Sequence, residues 1–208
     1  ISAMDSLRHT LLLGPTGVGT STAMLNMILS DIDDGHGVLV IDPKGDLNAA
    51  VLARMNRDRA KDVVYIDPMA ERVVGINPLS SNGDPDLVAV GMLAVLREIF
   101  ASSWGQRTED ILSNALMTLT RTSDNVTLSM LPSLLYNPTF RRKIVEQVTA
   151  DDPIGLGSFW QQYDAMSPAK QQEITAPLMN KLRTVLTRKP LLRTIGQPRA
   201  NFDLKDLF

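Results

Sequence analysis

The chain has 208 residues, 44% of them hydrophobic and 21% charged, a composition that suits an ordinary globular segment able to bury a substantial core. It contains no cysteine, which excludes disulfides and thiolate metal sites, and its net charge of −2 argues against a surface that binds nucleic acid all over. No apolar run reaches the length of a membrane span and the N-terminus lacks a signal-peptide layout, so this segment is expected to be soluble, without membrane contact of its own.

Arg8 to Leu13 reads as a first strand that ends in the apolar run Leu11 to Leu13. It leads into Gly14, Pro15, Thr16, Gly17, Val18, Gly19, Thr20, Ser21 and Thr22, and an apolar helical period follows at Met24, Leu25, Ile28, Leu29 and Ile32. Strand, glycine-rich turn and helix are the context of a phosphate-binding loop. The glycines let backbone N–H groups turn toward a phosphate, and the helix that starts there points its positive end at the same anion. Gly14 and Gly19 occupy the two glycine positions of the pattern G-x-x-x-x-G-K-[ST], and Ser21 stands where the Mg²⁺-binding hydroxyl belongs. Thr20 stands where the lysine belongs. The alternative is a plain glycine-rich turn between a strand and a helix.

Turn residues Asp33 to Gly37 end this helix, and Val38 to Ile41 is an unbroken apolar run that suits a strand covered on both faces. Asp42 and Pro43 stop it, Leu47 to Met55 reads as a helix, and Val63 to Ile66 repeats the pattern before Asp67 and Pro68. Strands alternating with helices predict an α/β fold: a parallel-sheet P-loop NTPase core. Ligands bind at the carboxyl ends of such strands. Asp42, followed by Lys44, is thus a candidate to hold the Mg²⁺ shell or to orient water; it is equally readable as a strand stop. Asp67 is read as a stop. His9 and His36 are read as incidental loop residues rather than ligands.

Beyond Gly75 to Leu79 the pattern turns helical. Helices are expected over 87–100, over 108–120 with Thr108 as N-cap, from Thr127 to Tyr136, from Asn137 and Pro138 to Val148, and from Ser167 and Pro168 to Leu186. Their Met, Leu and Phe residues are core. The predicted layout is the N-terminal part of the P-loop core over 1–83, a large helical insertion over 84–198, and a return segment over 199–208. Charge is uneven: residues 1–138 hold 16 acids and 10 bases, residues 139–208 hold 7 acids and 11 bases. The basic C-terminal third is read as a solvated helical surface, with a face for DNA as the alternative.

Three stretches together resemble the type IV secretion coupling proteins, the DNA-pumping motor ATPases of bacterial conjugation. They are Arg8-His9-Thr10-Leu11-Leu12-Leu13-Gly14-Pro15-Thr16-Gly17, Val38 to Asp46, and Val63 to Pro68 followed by Gly75-Ile76-Asn77-Pro78. Trp104 to Leu112 is similar to the start of a helix in that family's helical insertion. The resemblance implies a RecA-like motor fold, ATP with Mg²⁺, a homo-oligomeric ring, DNA and secretion-system proteins as partners, and a cytoplasmic location in a bacterium. It also implies a parent anchored at the inner membrane by segments outside this chain. The family's second acidic strand, with its Mg²⁺-binding Asp and catalytic Glu, would follow the helical insertion, so the core is expected to be incomplete here. Arg107 is the one candidate for an arginine reaching a neighbour's nucleotide.

Thr20 sets the expected activity. A hydrogen bond from a charged group contributes about 1.5–3 kcal/mol, and loss of one donor to a developing charge costs about 10²–10³ in rate. The expectation is weak ATP binding without useful hydrolysis. The alternative from another class is a non-enzymatic module whose helical part contacts DNA, a secretion substrate or sister subunits. A small phosphotransferase would need the loop lysine and a lid of arginines, which are not evident in the sequence.

Overall fold

A computed structural model describes residues 9–80, 83–122, 125–200 and 202. They divide into two compact units, the first holding the described residues up to Val64, the second running from Tyr65 to Phe202. The division falls earlier than the boundary expected after residue 83.

The expected parallel sheet is not there. Among the described residues the chain forms helices, 3₁₀ turns and loops, and no strand. The segments 9–13, 38–41 and 63–66 run as irregular chain; Arg8 lies outside the described residues. A strand persists only when its N–H and C=O groups pair with a neighbour. Among the described residues, no backbone hydrogen bond joins the segments 9–13, 38–41 and 63–66 to one another. In the run that was to be covered on both faces, Leu39 is 62% and Ile41 82% exposed, and Leu13 of the first expected strand is 83% exposed. The fold is therefore all-helical, and the α/β reading with a RecA-like core is withdrawn.

The first unit contains helix α1 (Thr20–Asp33), helix α2 (Asp46–Arg54) and a 3₁₀ turn (Arg57–Asp62). The two helices pack together, with Leu25 and Val51 as their buried residues. The Arg59 guanidinium ties the turn to α1 by donating to the Ile32 carbonyl at 2.6 Å.

The second unit is built around helix α4. In chain order it comprises α3 (Pro85–Ile99), α4 (Gln106–Arg121), α5 (Leu131–Tyr136), α6 (Pro138–Thr149), α7 (Leu156–Asp164), α8 (Pro168–Leu186) and α9 (Lys189–Ile195). Two starts agree with their sequence signals: Asn137 accepts from the Thr139 and Phe140 N–H groups, and Ser167 from the Lys170 N–H. Helix α3 starts two residues before the expected 87, with Asp84 accepting from the Asp86 N–H. Thr108 is not an N-cap: α4 begins at Gln106, leaving Thr108 buried within its first turn. Thr127 precedes a 3₁₀ turn over Leu128–Met130 and caps no N–H there. Helices α7 and α9 lie in segments with no helix expected.

Helix α4 packs against α3, α5, α6, α7 and α8. Ile111, Leu112, Ala115, Leu116 and Leu119 recur at helical spacing and are all buried in the core, with Leu116 and Leu119 fully closed off from solvent. Trp160 crosses from α7 and donates its indole N–H to the Thr118 hydroxyl at 2.8 Å, so its polar edge is satisfied inside the core. Helix α3 turns Ala89 and Leu96 to this core while Leu87, Val90, Val95 and Ile99 stay exposed, which gives it a second apolar face.

Two arginines join the helix ends. Arg121, closing α4, holds both oxygens of Asp86 at 2.6 and 2.7 Å and one of Asp152 at 2.7 Å. The Arg121 hydrogen bonds hold Asp86 below the usual carboxylate range. Asp152 is lowered first by the Gly155 N–H and then by Arg121. Arg141 is 2% exposed and donates to the Leu134 and Leu135 carbonyls, which the short helix α5 leaves unpaired at its end. Its charge is met by Asp164 at 2.8 Å and by the face of Tyr163, 5.0 Å from the ring centre. Burial pushes the Tyr163 phenol up to about 12, and its hydroxyl donates to the Leu135 carbonyl. Among the described residues no buried side-chain nitrogen or oxygen lacks a hydrogen bond.

Both tryptophans, Trp104 and Trp160, belong to the second unit, so their fluorescence follows its unfolding alone. Leu116→Ala is expected to destabilise that unit by about 2–5 kcal/mol in urea denaturation, while Leu87→Ala on the open face of α3 stays close to the parent chain. Arg121→Met is expected to lower stability at neutral pH. Because the carboxylates of Asp86 and Asp152 titrate below their ordinary 3.8 when folded, the stability they add is present above that value and lost as pH falls through the lowered ones. The gap between Arg121→Met and the parent should thus close below pH 3.8, as read by fluorescence-monitored urea titrations at several pH values.

Candidate functional site

The glycine loop and the start of α1 form the site that the sequence analysis singles out. Gly17 and Gly19 have φ of +91° and +92°, the left-handed region where a side chain is strained. At Gly14 a Cβ would meet the Val18 methyl at 2.6 Å, because the loop folds back on itself, so a larger residue there would displace the exposed Val18 side chain. The Val18 N–H donates weakly to the Pro15 carbonyl at 3.4 Å, which closes this turn.

Gly19 is the residue before the helix and supplies no side-chain cap. The first helical bond runs from the Ala23 N–H to the Gly19 carbonyl at 2.9 Å. The N–H groups of Thr20, Ser21 and Thr22 precede it, and among the described residues they have no partner. No acidic residue lies in the first turn of α1 to compete for them. The loop from Gly14 to Gly19, Ser21 and Thr22 are exposed and Thr20 is half-buried. Three unpaired donors at the positive end of a 14-residue helix make a place where an anion is stabilised.

Asp42 is engaged otherwise. One carboxylate oxygen accepts the Lys44 N–H at 3.0 Å, and the other accepts the Leu47 and Asn48 N–H groups at 2.8 and 3.1 Å. These last two are orphan donors of α2, so the side chain caps that helix. The Asn48 N–H is the largest cause of a pKa below the usual carboxylate value, with smaller help from Lys44, Gly45 and Leu47. No hydrogen bond or ion pair joins Asp42 to the loop among the described residues. Asp67 accepts the Met69 N–H at 2.8 Å, a local turn contact; there is no strand before it for it to stop.

The remaining candidates are dispersed. His36 stands 4.0 Å from Asp31 on an exposed surface, His9 is exposed, and Arg107 is exposed in the first turn of α4. Among the described residues no group of three His, Asp or Glu side chains could hold a metal ion, and no helix is long and apolar enough to cross a membrane. Asn77, read only as part of a motif, is a buried clamp. Its amide donates to the Val126 and Pro198 carbonyls at 2.8 and 2.9 Å, and its oxygen accepts the Leu79 N–H. Nothing local in the sequence marks it, since both carbonyls come from distant parts of the chain.

Compared with known proteins, the chain matches no family model, no curated sequence and no solved structure. The resemblance to the coupling proteins rests on the motifs quoted above.

Asp42→Ala is expected to speed amide hydrogen exchange at Leu47 and Asn48 and to leave exchange in α4 unchanged. Unchanged protection at those two amides would remove the capping role.

Proposed function

We propose that the chain binds the phosphates of a nucleotide, ATP by motif, at the junction of the glycine loop and α1, and does not turn it over usefully. The observation that carries this reading is the row of unpaired N–H groups at Thr20, Ser21 and Thr22, held beside a loop whose glycines keep the approach open. The order of Gly14, Gly19 and Ser21 supports a phosphate rather than a general anion, because it is the spacing of a phosphate loop.

The residues fit the group in part. Backbone donors suit the phosphate oxygens, and the exposed Ser21 hydroxyl has no partner among the described residues, so it can reach a nucleotide-bound Mg²⁺. The carboxylate of Asp42 is already occupied by three N–H groups. Thr20 supplies neither the charge nor the reach of a lysine, so within the loop and α1 phosphate affinity comes from the backbone and the helix end alone.

Calorimetric titration of the chain with ATP and ADP in the presence of Mg²⁺ tests this. Thr20→Lys is expected to tighten binding by about tenfold to more than a hundredfold, which corresponds to about 1.5–3 kcal/mol for a charge-assisted hydrogen bond. Binding by neither form at millimolar nucleotide overturns the proposal.

A further inference from the structure

No cationic side chain comes from the glycine loop or from α1: between His9 and Pro43 the chain has neither Lys nor Arg. The described residues of the first unit hold five cations, Lys44, Arg54, Arg57, Arg59 and Lys61. Only Lys44 precedes α2. The other four stand in the last turn of α2 or in the 3₁₀ turn that follows it.

The packing of the two helices separates these groups in space. Helices α1 and α2 lie against each other, and Arg59, in the 3₁₀ turn after α2, donates to the Ile32 carbonyl in the last turn of α1. The helix ends are thus held together, so α1 and α2 run side by side in one direction and their starts share the other end of the unit. Arg54, Arg57, Arg59 and Lys61 stay with the helix ends. At 1.5 Å per residue, α1 climbs about 18 Å from Ile32 back to Thr20, and α2 about 12 Å from Arg54 back to Asp46. The turn from Asp42 to Gly45 stands in front of the shorter helix and carries the chain on toward the level of the glycine loop. Packed helix axes lie about 8–10 Å apart, a gap that the flexible four-carbon stem of a lysine at one start bridges to a ligand seated on the other.

Lys44 is exposed, and its ammonium has no hydrogen bond or ion pair among the described residues. Its backbone is fixed all the same. The Lys44 N–H donates to Asp42 at 3.0 Å, and the same carboxylate caps α2 through Leu47 and Asn48. Gly45, with φ of +87°, then turns the chain into the helix. A free cation on a fixed turn loses only side-chain freedom when it meets an anion.

Resting on the reading of the glycine loop as a phosphate site, we propose that Lys44 is a further binding residue of that site: its ammonium meets the phosphate oxygens of a nucleotide held at Thr20, Ser21 and Thr22, and supplies the charge that Thr20 does not.

Calorimetric titration with ATP and Mg²⁺ of Lys44→Met, Lys44→Arg and Lys61→Met tests this. Each is made in the parent chain and in Thr20→Lys, whose tighter binding keeps a loss measurable. Lys44→Met is expected to weaken binding by about tenfold. Lys44→Arg should restore most of it, and Lys61→Met, which removes an exposed cation with the helix ends, should change nothing. Because the contact joins two charges, added NaCl should weaken binding by the parent more than by Lys44→Met. Amide exchange at Leu47 and Asn48 should be the same in all of these chains, since the α2 cap does not use the Lys44 side chain. Unchanged affinity on Lys44→Met in a chain that binds, an equal loss on Lys61→Met, or a loss that comes with faster exchange at Leu47 and Asn48 overturns the role of Lys44 and leaves the loop site standing. Binding by neither the parent nor Thr20→Lys removes the loop site, and Lys44 with it.

Discussion

The burial of α4 is the constraint on which the second unit depends. Five apolar residues on one helix, Ile111, Leu112, Ala115, Leu116 and Leu119, are closed from solvent by helices that come before and after it in the chain. Each large apolar side chain so buried contributes about 1.5–3 kcal/mol. The positions of α3, α5, α6, α7 and α8 follow from covering this one surface. Polar groups enter the core only where they find partners, as Trp160 does at Thr118 and Arg141 does at the end of α5. Once α4 is covered, the ends of the helices are tied by charge, with Arg121 holding the start of α3 and the loop before α7.

The first unit works on different terms. Its helices bury little, and its organisation comes from backbone geometry: a glycine loop running into α1 and a carboxylate capping α2. These two helix starts solve the same problem in opposite ways. At α2 the orphan N–H groups are satisfied internally by Asp42. Both helices are preceded by a glycine, Gly19 and Gly45, but at α1 no upstream carboxylate does what Asp42 does at α2, so among the described residues the corresponding groups are left open. An open positive helix end can stabilise an anion; a capped one has its donors already occupied. That difference separates the loop from Asp42, although the expected sheet would have placed both at the carboxyl ends of its strands.

Charge divides in a similar manner in the second unit. Arginines at helix junctions meet carboxylates, accept desolvation and hold the fold together. The cations from Lys181 to Arg199, like Arg72, Arg107, Arg142 and Lys143, meet none among the described residues. Pairing removes a charge from the field that a partner would feel; leaving it unpaired preserves that field.

Much of the helical framework was legible in the sequence because the signals are local. Asn137 and Ser167 cap the helices that follow them, the apolar spacing of α4 marks its buried face, and the glycines of the loop stand where its backbone needs them. Helices α7 and α9 escaped notice because one is nine residues long and the other seven, and neither has a side-chain cap. The apolar runs at Leu11–Leu13, Val38–Ile41 and Val63–Ile66 have strand composition, yet a strand is decided by hydrogen-bonding partners that composition does not contain. Pairing of Arg141 with the α5 carbonyls, of Asn77 with Val126 and Pro198, and of Arg121 with two acids likewise joins residues far apart in the chain. By itself the sequence determined where α6 and α8 start, which face of α4 turns inward and where the glycine loop turns. Only the tertiary structure decided which apolar runs are covered and which polar groups are paired, because both depend on neighbours brought together by folding.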